Sequence, residues 1–195
     1  MRGWRGLEHR QNLEMPVSDK DRSDYFDFLR FPTVSADPAR DQSMRDCATW
    51  LEKKFGEMGM EAEIVATPGA PVVLAKWSKG GGKRRRVLIY GHYDVQPAEM
   101  GDGWTGDPFE PRMSDGMVLA RGSTDNKGQI FAHMLGVAEA IREGGAATDV
   151  VFVVEGEEEV GSDNLEAVLR ARKEELRCDV AVISDTNMAD PTNRL

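Results

Sequence analysis

Four carboxylates, Glu155, Glu157, Glu158 and Glu159, fall within five positions directly after the apolar, mostly β-branched run Val150 to Val154. Carboxylates this close repel, and burying them unpaired raises their pKa values until one is protonated or a cation arrives. Three other segments carry acids in comparable places. VLIY (87–90) leads into His92 and Asp94, VAVIS (180–184) leads into Asp185, and Asp125 sits in RGSTDNKG (121–128) just ahead of a helical pattern. One imidazole with several carboxylates suits a hard or borderline divalent cation, and zinc accepts both nitrogen and oxygen ligands. More than four carboxylates at one edge exceed the needs of one tetrahedral ion, so a two-ion centre with a bridging carboxylate fits better. Such a centre activates a water and polarises a carbonyl or phosphoryl oxygen, while a carboxylate that does not ligate serves as general base. The residue types alone leave amide and phosphate-ester hydrolysis both open.

Each piece has an ordinary structural reading when taken singly. A His-x-Asp pair is more often structural than catalytic, and an acidic turn is usually a solvated loop. Asp125 would cap the helix that follows it, where negative charge is favoured, and Asp185 would be a turn residue. The metal reading rests on all four converging at one place.

The pattern of the chain supplies that place. Residues 19–30 read as a helix capped by Ser18 and stopped by Pro32, with Tyr25, Phe28 and Leu29 at helical spacing. A second helix, 38–58, puts Met44, Cys47, Ala48, Leu51 and Phe55 on one stripe and ends at Gly59. Strands follow at 61–67 and 71–77, then a GGGK turn, the strand RRVLIY (85–90) and a hairpin around Ser114, Asp115 and Gly116. Beyond this the sequence alternates: a helix at 127–142 with Ile130, Leu135, Ala138 and Ile141 inward, a strand at 149–154, a helix at 163–176 using Leu165, Val168, Leu169 and Leu176, and a strand at 179–184. Alternation of this kind predicts an α/β fold, a three-layer αβα sandwich with a mostly parallel sheet. In open sheets of that type ligands bind beyond the carboxyl ends of the strands, which is where the acids fall.

Composition narrows the partners. At 195 residues one domain is expected, and a formal net charge of −9 argues against nucleic acid. No apolar run reaches the roughly 20 residues of a membrane span. The basic run Lys83 to Arg86 reads as a solvated turn. Cys47 and Cys178 lie far apart without metal-type spacing and read as reduced core residues of a cytoplasmic protein. Residues 1–17 lack the apolar stretch of a signal peptide and read as a disordered extension, with Met15 the more natural start.

GHYDVQP (91–97), the DGW…DPF segment (102–109), RGSTDNKGQ (121–129), EGEEEVGS (155–162) and VISD (182–185) together resemble, in order and spacing, the motifs of the cocatalytic dizinc metallopeptidases. That family includes carnosinases, bacterial dipeptidases, aminoacylases and succinyl-diaminopimelate desuccinylase, and the resemblance runs from about residue 24 to 190. It implies a zinc-exopeptidase-like sandwich holding two divalent ions, zinc foremost and manganese or cobalt as alternatives. His92 and Asp185 would be terminal ligands of one ion, Asp125 the bridge, and Glu159 a terminal ligand of the other. Glu158 would be the general base, Asp94 would fix the His92 ring, and the Asp125–Asn126 peptide would be cis. The implied substrate is a dipeptide or acyl-amino acid, and full-length relatives are often homodimers. Such relatives carry a lid or dimerisation domain and a returning segment with a final histidine ligand. Residues 18–195 therefore correspond to the N-terminal part of the catalytic domain, with the sheet incomplete at its C-terminus. His133, in mid-helix, reads as a packed side chain rather than that ligand, and His9 lies in the extension. Two outcomes follow: a dizinc dipeptidase or acyl-amino-acid hydrolase, or a truncated, catalytically incompetent metal-binding fragment of one.

Overall fold

The computed structural model of the chain describes residues 17–80 and 84–186. The expectations for the N-terminal extension, His9, Lys83 and the last nine residues lie outside them. Ser18 does cap the first helix, α1 (Asp19–Arg30), accepting from the Asp21 amide at 3.0 Å. The second helix starts later than its stripe suggests. Pro38–Arg40 forms a tight 3-10 turn capped by Asp37, and α2 proper is Asp41–Glu57. Strands β1 (Glu61–Val65) and β2 (Val72–Trp77) form an antiparallel pair. β3 (Arg86–His92) runs two residues beyond the predicted strand, so His92 is part of the strand itself.

The hairpin at Asp115 and Gly116 joins β4 (Arg112–Ser114) to β5 (Met117–Leu119). Helix α3 (Lys127–Arg142) and strand β6 (Asp149–Glu155) follow at the expected places. The predicted 163–176 helix is broken at Arg172 into α4 (Leu165–Ala171) and α5 (Lys173–Leu176), and β7 is Val180–Ile183. Leu169 is exposed, and Val168 and Leu176 are the buried residues of that layer.

The sheet order is β1-β2-β6-β3-β7. β3 is parallel to both β6 and β7, whereas β2 opposes both β6 and β1, so β2 alone is reversed. Alternation along β6 sends Val150, Phe152 and Val154 into a core with α1, α2 and α3, and Val151 and Val153 into a second core with α4 and α5. That is the αβα sandwich, with helices on both faces. Among the described residues β7 pairs only with β3, and its Val180 and Ile183 are 52% and 59% exposed.

Two expectations about single residues change. Cys178 is exposed rather than in the core, because it precedes the short, uncovered β7, while Cys47 is buried as expected. The arginines of the basic run are not simply solvated. Arg84 pairs with Asp149 at 3.0 Å, and Arg86 Nη1 donates to the Glu175 and Arg177 carbonyls. No helix among the described residues is long and apolar enough to cross a membrane.

Candidate metal centre

Register brings the acids together. Parallel pairing of β3 with β6 sets His92 opposite Glu155, so the segment after β6 begins beside the imidazole. β7, on the other side of β3, delivers Asp185 just past its end. Asp125 comes from the loop before α3, whose N-cap Asn126 makes no side-chain capping bond. Asp125 therefore does not act as the helix cap. The Asp125–Asn126 peptide is cis.

His92 is fully buried, and its ring is held from behind: Nδ1 lies 3.0 Å from the Asp94 carbonyl and 3.3 Å from Asp94 Oδ1. The other ring nitrogen, Nε2, is buried with no hydrogen-bond partner. Around it stand Asp125 Oδ1 at 3.2 Å, Asp185 Oδ2 at 3.4 Å and Glu158 Oε2 at 3.7 Å. Two groups of donor atoms share this imidazole, His92 with Asp125 and Asp185, and His92 with Glu158 and Glu159; each group falls within 4.8 Å. A buried imidazole nitrogen that makes no hydrogen bond, facing carboxylates from three chain segments, offers donor atoms of the types that divalent cations take. The residues present fit such an ion.

The electrostatics agree. Burial opposes a charge on His92, but Asp94, Glu158 and Asp185 outweigh it and push the imidazole up to about 9. Burial raises the Glu158 carboxyl against the pull of His92, and Glu159, Asp185 and Asp94 add to the rise. The cluster is rich in negative charge and short of cations, and a metal ion would supply what it lacks.

The four glutamates of the acidic turn divide their tasks. Glu155 is buried and accepts from Tyr90 OH at 2.5 Å and Ser162 Oγ at 2.9 Å; burial raises its pKa despite those bonds. Glu157 accepts from the Ala70 amide at 3.1 Å and from Asn164 Nδ2 at 2.8 Å. These two close the turn, leaving Glu158 and Glu159 to face His92. Glu159 Oε2 also accepts from Gln96 at 2.7 Å. Asp94 does more than orient the ring: its buried carboxylate accepts from the Glu158 amide at 3.2 Å and the Glu159 amide at 3.0 Å.

His133 stays apart, half-buried on α3 with Nε2 2.8 Å from Ser184 Oγ. Sequence reasoning missed the supporting roles of Gln96, Ser162 and the Asn126 side chain. The motif placed Asn126 beside Asp125, but nothing local showed what its amide would reach.

Residues 88–193 match the model of peptidase family M20/M25/M40. The chain is 32% identical over 191 residues to the Cys-Gly metallodipeptidase dug1 of Schizosaccharomyces pombe, covering 87% of this chain and 39% of that protein. It is 41% identical over 122 residues to the human Beta-Ala-His dipeptidase, covering 60% of this chain and 24% of that protein. Among solved structures, an M20 family metallo-carboxypeptidase from Sulfolobus solfataricus superposes with a TM-score of 0.81 at 30% identity, over 91% of this chain and 39% of that one. The chain thus spans about two fifths or less of the length of these relatives. Since the matched segment runs from β3 past β7 and takes in His92, Asp125, Glu158, Glu159 and Asp185 together, the chain belongs to peptidase family M20/M25/M40.

Proposed function

We propose that the cluster is a two-ion metal centre and that the protein it belongs to hydrolyses the amide bond of a dipeptide or acyl-amino acid. The observation that carries this reading is the Nε2 of buried His92, which makes no hydrogen bond and stands among the carboxylates of Asp125, Asp185 and Glu158. His92, Asp125 and Asp185 would hold one ion; Asp125 and Glu159 would serve the other. When bound, the ions, zinc before manganese or cobalt, supply Lewis acidity and a water that is nucleophilic near neutral pH. Glu158 takes the proton of the attacking water and returns it to the departing amine, a role its partly exposed carboxylate, 3.7 Å from His92 Nε2, can fill. Asp94 keeps the His92 ring turned toward the cluster and holds the Glu158 and Glu159 backbone against it.

The test is a count of tightly bound zinc followed by assay against Cys-Gly and β-Ala-His, the dipeptides for which the relatives are named. Two ions per chain are expected. Glu158→Gln should keep the metal and abolish turnover, whereas Glu159→Gln should lose an ion; the opposite pattern would exchange the two roles. Two ions with no hydrolysis of either dipeptide would support a metal-binding fragment instead of an active peptidase. No bound metal would sink the reading altogether.

A further inference from the structure

One buried side chain touches the segments of all three residues in the His92 group without being among them. Asn126 is 1% exposed. Its Oδ1 accepts from the His92 amide at 3.3 Å, and its Nδ2 donates to Asp185 Oδ1 at 3.2 Å and to the Ser184 carbonyl at 3.3 Å. The end of β3 thus presents a donor, the end of β7 presents two acceptors, and the carboxamide answers both. A carboxylate lacks the donor, a lysine lacks the acceptor, and an alkyl group lacks both. Because Asn126 directly follows Asp125, the same side chain ties the third residue to the other two.

The surroundings are built to this side chain. A Cβ on Gly91 would come within 2.5 Å of Asn126 Oδ1 and 2.7 Å of Ile130 Cγ1, so the residue before His92 must be bare for the amide to reach the strand. Asn126 makes no side-chain capping bond to α3. Its hydrogen bonds run across the sheet edge instead.

We propose that Asn126 is a positioning residue for the metal centre, setting the spacing of His92, Asp125 and Asp185 before an ion arrives. This rests on the metal-centre reading above. The experiment uses the 195-residue chain carrying Glu159→Gln, which isolates the His92, Asp125 and Asp185 site. It compares that chain with the same chain carrying Asn126→Ala or Asn126→Ser. Cobalt(II) is titrated into each, with its visible absorption and a competing chelator as readouts, and metal-free thermal unfolding as the fold control.

The expected result is folded variants with cobalt affinity lower by roughly 10–100-fold, the range for lost supporting contacts, and a changed visible spectrum. The proposal is overturned if a folded variant binds cobalt with unchanged affinity and spectrum. It is equally overturned if neither variant folds, since Asn126 would then be a residue of the fold rather than of the site. Failure of the Glu159→Gln chain and of the unmutated chain to bind cobalt would refute the metal-centre reading itself, and this inference with it.

Discussion

Asp94 faces two ways. One side of its buried carboxylate lies 3.3 Å from the His92 ring, and both oxygens accept amides from the turn that carries Glu158 and Glu159. Asp94→Asn keeps the shape but turns an amide group toward two N–H donors. Metal affinity should fall by about 10–100-fold, with turnover falling alongside, as measured by chelator competition and dipeptide assay. A variant with unchanged affinity would show that the Asp94 carbonyl, at 3.0 Å, holds the ring unaided. At this scale the sequence was informative about identity and weak about contacts. Asp94 stands two residues from His92 and so was readable as its support, but its bonds to amides more than sixty residues away were not. Pairing of that kind depends on which strands are neighbours, and strand patterning does not encode this.

Between elements, close approaches decide what can vary. A Cβ on Gly128 would meet the Ser123 carbonyl oxygen at 2.0 Å, which is backbone and has nowhere to move. Gly128→Ala should therefore push the Asp125 loop off the first turn of α3, at a cost of about 1–3 kcal/mol. A lower denaturant midpoint together with weaker metal binding would show it; a midpoint equal to the parent's would refute it.

The α1–α2 contact offers a pH test far from the metal. Asp24 bonds Lys20 and reaches across to Lys54 at 2.8 Å. Burial disfavours its charge, but the two lysines outweigh burial and hold its pKa below the usual value. A carboxylate with a depressed folded pKa stabilises fully above its unfolded value, near 3.9, and loses that contribution as the pH falls through the folded one. Relative to Asp24→Asn, the parent should be more stable by about 1 kcal/mol at neutral pH, with the difference shrinking as the pH drops below about 4. A gap that does not depend on pH would mean that the pair contributes by packing.

For the molecule as a whole, the candidate ligands come from β3, from the loop before α3 and from the segments after β6 and β7. An ion held by all of them binds the folded chain and not the unfolded one. Zinc at a hundredfold excess over its Kd should add about 2.7 kcal/mol, or roughly 5–10 °C in Tm for a chain of this size, and a chelator should reverse it. A Tm insensitive to zinc would argue that the donor atoms do not converge in solution.

The sequence by itself determined the order of the elements, the alternation that requires a layered α/β sandwich, and the acids that follow its strands. These are local properties, written in side-chain period and in capping and turn residues. Only the tertiary structure decided that β6 enters between β2 and β3, which sets His92 opposite Glu155, and that β7 closes on the far side of β3. It also divided the four glutamates, two bonded within the turn and two facing the imidazole, and it gave Asn126 its partners across the sheet edge. Those outcomes follow from which buried surfaces meet, and an apolar face in sequence names no neighbour until the sheet is assembled.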